Sequence, residues 1–284
     1  MDTKSFLKKL NGIDDLPTLP TIAMEANKYL QDYDTSIRKL SQIIEKDQAM
    51  VPRILKLVNS AFFGFRSKIG NISHAIILLG FNTVRNVVVS VSIFDRFSKK
   101  GTIENFDILE FWHHSIAVAV MSKHLAAATR CLSPYDAFTA GLLHDIGKLV
   151  LCQYFPDLFR KAWIVKTENC MTFLEAEKKI IPANHAEIGG YLAKKWQLPT
   201  NLIHAIGYHH NEIREGSEID LLMIVQVADI MINNLIITSN SKPNLAEINS
   251  YVPKVIRPYL DTVSESFQEI FSEIQSASQL FLRN

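Results

Sequence analysis

Apolar positions recur at intervals of three and four along most of this chain, the period of helices with one buried face. In DLPTLPTIAMEANKYLQ, Ile22, Ala26 and Leu30 share a face, and the two prolines suit a loop and a helix start. TSIRKLSQIIEKDQ places Ile37, Leu40, Ile43 and Ile44 at helical spacing, with Thr35 or Ser36 as the cap. MVPRILKLVNSAFFGF carries Ile54, Leu55 and Val58, then an Asn-Ser and aromatic-Gly turn. ISHAIILLGFNTVRNVVVSVSIFDRF reads as two helices hinged at Gly80. Its VVVSVSIF run has the β-branched content of a strand, but no partner strand with an alternating pattern lies nearby, so it reads as buried helix.

At SKKGTIEN, residues 98–105, the chain turns polar, which marks a boundary. Longer helical segments follow at 107–129, 134–152, 155–168, 172–179, 184–196, 199–210 and 218–238. SNSKPNLAEINS reads as a loop. VSESFQEIFSEIQSASQLF reads as one amphipathic helix, with Val263, Phe267, Ile270, Ile274 and Phe281 along one side. That stripe is expected to pack on its own domain rather than on a partner. The predicted fold is all-α.

Composition narrows the functional classes. Over 284 residues, 48% are hydrophobic and 21% charged, the balance of a globular chain. Thirty basic against 29 acidic residues leave a formal charge of +1, so no global basic field argues for direct nucleic-acid binding. MDTKSFLKKL lacks a signal-peptide core, and apolar runs such as IVQVADIMI are too short to span a bilayer. Cys131, Cys152 and Cys170 lack CxxC spacing, which disfavours a disulfide frame or thiolate site. A cytoplasmic location away from the membrane is expected.

The histidines change the picture. His113 and His114 open one helix, His144 and Asp145 stand side by side in GLLHDIGKLV, and His185 begins HAEIGGYLAKKW. His209 and His210 end AIGYHH, and Asp229 lies in VQVADIM. A lone histidine on an apolar helix is more often a hydrogen-bonded core residue than a ligand, and His113 or His210 facing solvent is equally ordinary. Asp229 alone is open to reading as a buried partner for an arginine. Yet each unpaired buried polar group costs ~1–3 kcal/mol, so several together favour a shared site. Imidazole and carboxylate donors without thiolates suit divalent iron, manganese, nickel or zinc. Neighbours on a helix point ~100° apart, so His144 and Asp145 cannot face one spot equally. They can flank a pair of ions, with the carboxylate bridging.

The same set resembles the HD superfamily of metal-dependent phosphohydrolases. The resemblance implies metal ligation by His114, His144, Asp145, His185, His209, His210 and Asp229. Lys148 matches the lysine of the HDxGK form, a role that would set its ammonium group near a phosphate; the plain alternative is a surface lysine. Were the chain catalytic, Asp145 and Lys148 would be the reacting-centre residues. The first hundred residues narrow the resemblance. DLPTLPTIAME, IIEKDQAMVPRILKLVNSAFFGF and ISHAIILLGFNTVRNVVV are similar, in order, to the N-terminal part of the HDOD domain, the HD-related output domain of bacterial signalling proteins. Asn59, Ser60 and Gly64 have a plain explanation there as a turn.

This resemblance implies three parts: an N-terminal helical subdomain over 1–102, an HD-like core over 103–240, and a C-terminal loop and helix over 241–284. It implies a signalling module with a protein partner and a nucleotide or cyclic dinucleotide ligand. The alternative is an active metal-dependent phosphohydrolase or phosphodiesterase. Many HDOD domains lack metal residues, whereas this chain keeps the whole set. After His209-His210 it reads NEIREGSEIDL, without the GYP tripeptide of the related cyclic di-GMP phosphodiesterases, which counts against that substrate.

Overall fold

The computed structural model describes residues 2–11, 21–29, 36–60, 63–65, 67–98, 106–212, 218–237, 248 and 251–282. Among them the chain is helical, with no strand. The two N-terminal prolines, most of the 98–105 boundary and nearly all of SNSKPNLAEINS lie outside the described residues. No described helix is long and apolar enough to cross a membrane.

Among the described residues six helices precede the boundary: α1 (Thr3–Asn11), α2 (Thr21–Tyr29), α3 (Ile37–Glu45), α4 (Met50–Val58), α5 (Ile72–Leu79) and α6 (Phe81–Ser98). Ser36 caps α3 by accepting from the Lys39 amide, and Asn71 caps α5 through His74. Gly80 separates α5 from α6 at φ 80°, a conformation that side chains with a Cβ rarely adopt, so the chain turns there as the sequence predicts. VVVSVSIF is helical: Val84, Val87, Val88 and Val91 form the buried i, i+3, i+4, i+7 stripe of α6. Asn59 is a structural residue. Its amide donates to the carbonyls of Leu55 at 2.7 Å and Ile69 at 2.9 Å, and its oxygen accepts from the Ile69 amide at 2.6 Å. Helix α1 is not apparent in the hydrophobic pattern, yet Phe6 and Leu10, one turn apart, are both buried.

After the boundary the described residues form ten helices: α7 (Ile108–Thr129), α8 (Pro134–Leu143), α9 (Ile146–Tyr154), α10 (Pro156–Glu168), α11 (Phe173–Ile180), α12 (His185–Lys195), α13 (Thr200–Tyr208), α14 (Leu221–Ile237), α15 (Arg257–Glu265) and α16 (Phe267–Leu282). Helix α7 is the axis of this group, packed by α8, α14, α15 and α16. Trp112, Ile116, Val118, Ala119, Val120 and Leu125 point in different directions around it and are all buried, as expected of a helix enclosed on most sides.

Two predicted helices are each divided. The segment 134–152 breaks at His144 and Asp145, with Asp145 at φ −95°, ψ 6° instead of helical values. The final helix breaks at Ser266, between α15 and α16. Its apolar stripe packs on its own chain as expected: Val263, Phe267, Ile270 and Phe281 are buried and Ile274 partly so. Each such burial contributes ~1.5–3 kcal/mol. Glu273 adds polar contacts to α7, accepting from Lys123 Nζ at 2.6 Å and lying 2.8 Å from His124 Nε2.

Candidate metal centre

Five segments bring the histidines and acids together. Helix α7 supplies His114, the break between α8 and α9 supplies His144 and Asp145, and α12 begins with His185. The C-terminal end of α13 leads into His209 and His210, and α14 supplies Asp229. Asn184 and Glu187 close a capping box around the start of α12, which fixes where His185 enters. The helices approach closely because glycine lines their contacts. A Cβ at Gly147 would overlap the His185 carbonyl, and one at Gly190 would lie 2.7 Å from the Gly207 Cα. The break at Asp145 resolves the problem of adjacent residues diverging on a helix, because the altered backbone lets both side chains face one centre.

The side chains form two adjoining groups. Ligand atoms of Asp145, His185, His209 and His210 all lie within 4.8 Å of one another, as do those of His114, His144 and Asp229. Asp145 stands between them. Its Oδ1 is 3.1 Å from His185 Nε2 and 3.5 Å from His209 Nε2. Its Oδ2 is 3.4 Å from His144 Nε2 and 3.9 Å from His114 Nε2. Asp229 Oδ1 closes the second group, 3.1 Å from His114 Nε2 and 3.8 Å from His144 Nε2.

Hydrogen bonding determines which ring nitrogen faces the centre. His144 Nδ1 donates to the Gly141 carbonyl at 2.7 Å, and His209 Nδ1 to the Ile206 carbonyl at 2.9 Å. A carbonyl only accepts, so both Nδ1 atoms carry protons and each Nε2 is the ring nitrogen turned to the centre. Those Nε2 atoms, with Asp145 Oδ1, are buried and make no hydrogen bond. His185 Nδ1 is held by Glu177 Oε2 at 2.5 Å, while the other Glu177 oxygen accepts the His185 amide at 3.0 Å. The His185 and His210 Nε2 atoms face each other at 2.8 Å, where two lone pairs repel unless a proton or cation lies between them. At metal–nitrogen lengths of ~2.1 Å, two ligands at right angles stand about 3 Å apart, so this spacing fits one shared ion. Unpartnered buried acceptors converging on one space are what a cation requires.

The charges are strongly coupled. Burial pushes His144 down to about 4, against the pull of Asp145 and Asp229, and keeps it neutral. Burial, then His209 and His185, also lowers His210. Burial disfavours the His185 cation, but Glu177 and Asp145 together outweigh it and raise the ring above its ordinary value. Burial alone would raise both carboxyls. His144, Lys148 and His185 instead hold Asp145 well below the usual carboxylate range, and His114 and His144 do the same for Asp229.

All seven ligand candidates read from the sequence therefore converge, although His210 remains exposed at the edge. His113 faces outward, exposed. Lys148 is neither a free surface lysine nor an unengaged cation: its amine donates to Asp145 Oδ2 at 2.5 Å. Sequence reading missed Glu177, which is fully buried. Its signal lay in α11, where Phe173, Ala176 and Ile180 form an apolar face and Glu177 occupies its remaining i+4 position.

Comparison with known proteins matches residues 16–212 to the HDOD domain. A Treponema pallidum protein of uncharacterized function is 31% identical over 219 residues, covering 74% of this chain but only 40% of its own length. The fold superposes on an inferred phosphohydrolase of Shewanella amazonensis SB2B with TM-score 0.77 at 21% identity, covering 96% of this chain and 97% of that one. An HDOD domain protein of unknown function from Geobacter sulfurreducens gives TM-score 0.76 at 24% identity, covering 99% of this chain and 100% of that one. At these identities the structural likeness is one of fold. The family match extends over most of the chain and includes α2 to α6 and most of the His/Asp cluster, so the chain belongs to the HDOD domain family.

Proposed function

We propose that this chain is a regulatory HDOD module built around a centre for two divalent ions, which passes the state of that centre to a signalling partner. The observation that carries the reading is the convergence of three buried, unpartnered acceptors, His144 Nε2, His209 Nε2 and Asp145 Oδ1. His185, His209 and His210 would hold one ion, and His114, His144 and Asp229 the other, with one Asp145 oxygen turned to each group. The nitrogen and oxygen donors suit iron, manganese, nickel or zinc. Bound there, such ions supply Lewis acidity toward a phosphoryl group and lower the pKa of water.

The protein's own residues prepare the site. The carbonyls of Gly141 and Ile206 fix two tautomers, Glu177 orients His185, and Lys148 balances Asp145. In this reading residues 1–102 form the regulatory face, 103–240 the HD-like core and 241–284 a clasp on that core. Helix α8, which ends at His144, packs on α6, and Asn86 of α6 donates to Asp136 of α8, giving the centre a direct mechanical link to the N-terminal helices. A nucleotide or cyclic dinucleotide is the ligand class that a phosphoryl-directed centre suits.

A second reading, an active phosphohydrolase or phosphodiesterase, is favoured by the complete ligand set together with the inferred activity of the Shewanella neighbour. Elemental analysis of protein purified without added metal tests the centre. About two equivalents, lost in Asp145→Ala, support it; no metal after reconstitution with iron, manganese, nickel or zinc overturns it. Turnover of phosphodiesters by the loaded protein, abolished with the metal, would decide for the second reading.

A further inference from the structure

The candidate ligands differ in what holds each ring from behind. The Nδ1 atoms of His144 and His209 donate to backbone carbonyls, and that of His185 meets Glu177. The Nδ1 atoms of His114 and His210 have no hydrogen-bond partner among the described residues. His114 lies inside α7, where the helix itself fixes its backbone. His210 has neither support, because it follows the end of α13 and is exposed. Its Nε2 nevertheless stands 2.8 Å from that of His185.

A residue of another helix holds this stretch of backbone. Gln226 of α14 is buried, and its side-chain amide donates at 2.7 Å to the carbonyl of Asn211, one residue beyond His210. The Asn211 amide donates in turn to the Tyr208 carbonyl at 2.8 Å, so His210 sits within a turn closed on one side and tethered on the other. Gln226 has an apolar setting on its own helix, where Ile224, Val225, Val227 and Ala228 are all buried. A polar amide there costs free energy unless it is hydrogen-bonded, so packing alone does not call for glutamine. Three residues further along α14 comes Asp229. One helix thus supplies a ligand to the second group and a tether to the edge of the first.

We propose that Gln226 is a positioning residue of the metal centre: through the Asn211 carbonyl it fixes the turn that carries His210, and so keeps that ring converged with His185 on one ion. The assignment rests on the metal-centre reading above and adds to it a link between the two ligand groups that does not pass through Asp145. A ligand ring without a hydrogen bond of its own takes its direction from its backbone. Small rotations of a free turn would swing the His210 nitrogen out of reach. Gln226 does for His210 through the main chain what Glu177 does for His185 through the ring.

The test is calorimetric titration of manganese into the metal-free full chain, with iron, nickel or zinc in its place should the wild type take up no manganese. Gln226→Met keeps the length and burial of the side chain and removes the donor. The released Asn211 carbonyl belongs to an exposed residue and is open to water, so the fold loses little. The overall affinity for two ions should fall about tenfold, as for other residues that orient a ligand. In a His210→Ala background the same substitution should change affinity by less than about twofold, because the group it acts through is gone. Should Gln226→Met not fold, Gln226→Asn, which keeps an amide but falls one methylene short of Asn211, carries the same expectations. Wild-type affinity in the Gln226 variant overturns the proposal, as does a His210→Ala protein that binds metal as wild type does. A double variant whose loss is the product of the two single losses also overturns it and assigns Gln226 to the fold alone. All three results leave the centre standing. A wild type that takes up none of the four metals removes the centre and the proposal together.

Discussion

His185 Nδ1 lies 2.5 Å from Glu177 Oε2, and both side chains are fully buried. The carboxylate fixes the ring's tautomer and direction and raises the basicity of the nitrogen that faces the centre. Glu177→Gln, which keeps the shape, should therefore lower metal affinity ~10–100-fold, read by competition with a chelating dye. Unchanged affinity would mean that Glu177 serves packing alone.

Gly147 has a steric role. Any side chain there overlaps the His185 carbonyl, and backbone cannot rotate away as a flexible side chain would. Gly147→Ala should separate α9 from α12, costing about 3 kcal/mol in urea denaturation and reducing metal content with it. A variant of wild-type stability that loads fully would show the two helices to be loosely packed.

Glu273 gives a prediction in pH. Burial would raise its carboxyl, but bonds from His124 and Lys123 hold it below its ordinary 4.5. A carboxyl depressed in the folded state contributes stability above its unfolded value and loses that contribution as pH falls through the folded one. Glu273→Gln should cost about 1–2 kcal/mol at pH 7, and the gap from wild type should narrow below pH ~4.5. An equal gap at pH 7 and pH 3 would assign the residue a neutral packing role.

Asn59 makes three hydrogen bonds to backbone that no other side chain replaces. Asn59→Ala is expected to destabilise the fold by about 2 kcal/mol without altering metal content. Loss of metal in a folded Asn59→Ala protein would contradict the purely structural role of this turn.

What the sequence reveals depends on how local each cause is. The 3.6-residue period exposed α3 and α4, because each buries one regular stripe, Leu40, Ile43 and Ile44 in the first and Met50, Ile54, Leu57 and Val58 in the second. It concealed the break at His144 and Asp145, since the apolar residues on both sides stay in helical phase and the turn serves the cluster rather than the pattern. The ligand set was legible as residue types in order. The place of the Asp145 carboxylate between two groups was legible too, but which histidines join each group was not, because that depends on which oxygen faces which helix. Glu177 was overlooked as one acid among many in a lysine-rich helix, and only burial distinguishes it. Helix α1 is short, and Phe6 and Leu10 are too few to establish a period.

The two faces of Asp145 have a consequence for how the centre responds to metal supply. In the proposed two-ion centre one carboxylate would serve both halves, so the first ion to bind would orient the ligand that the second requires. Loading would then rise over a narrow range of free metal, with a Hill slope above one as its signature, and a slope of one would count against this coupling. Such a centre would act as a threshold element, either vacant or complete.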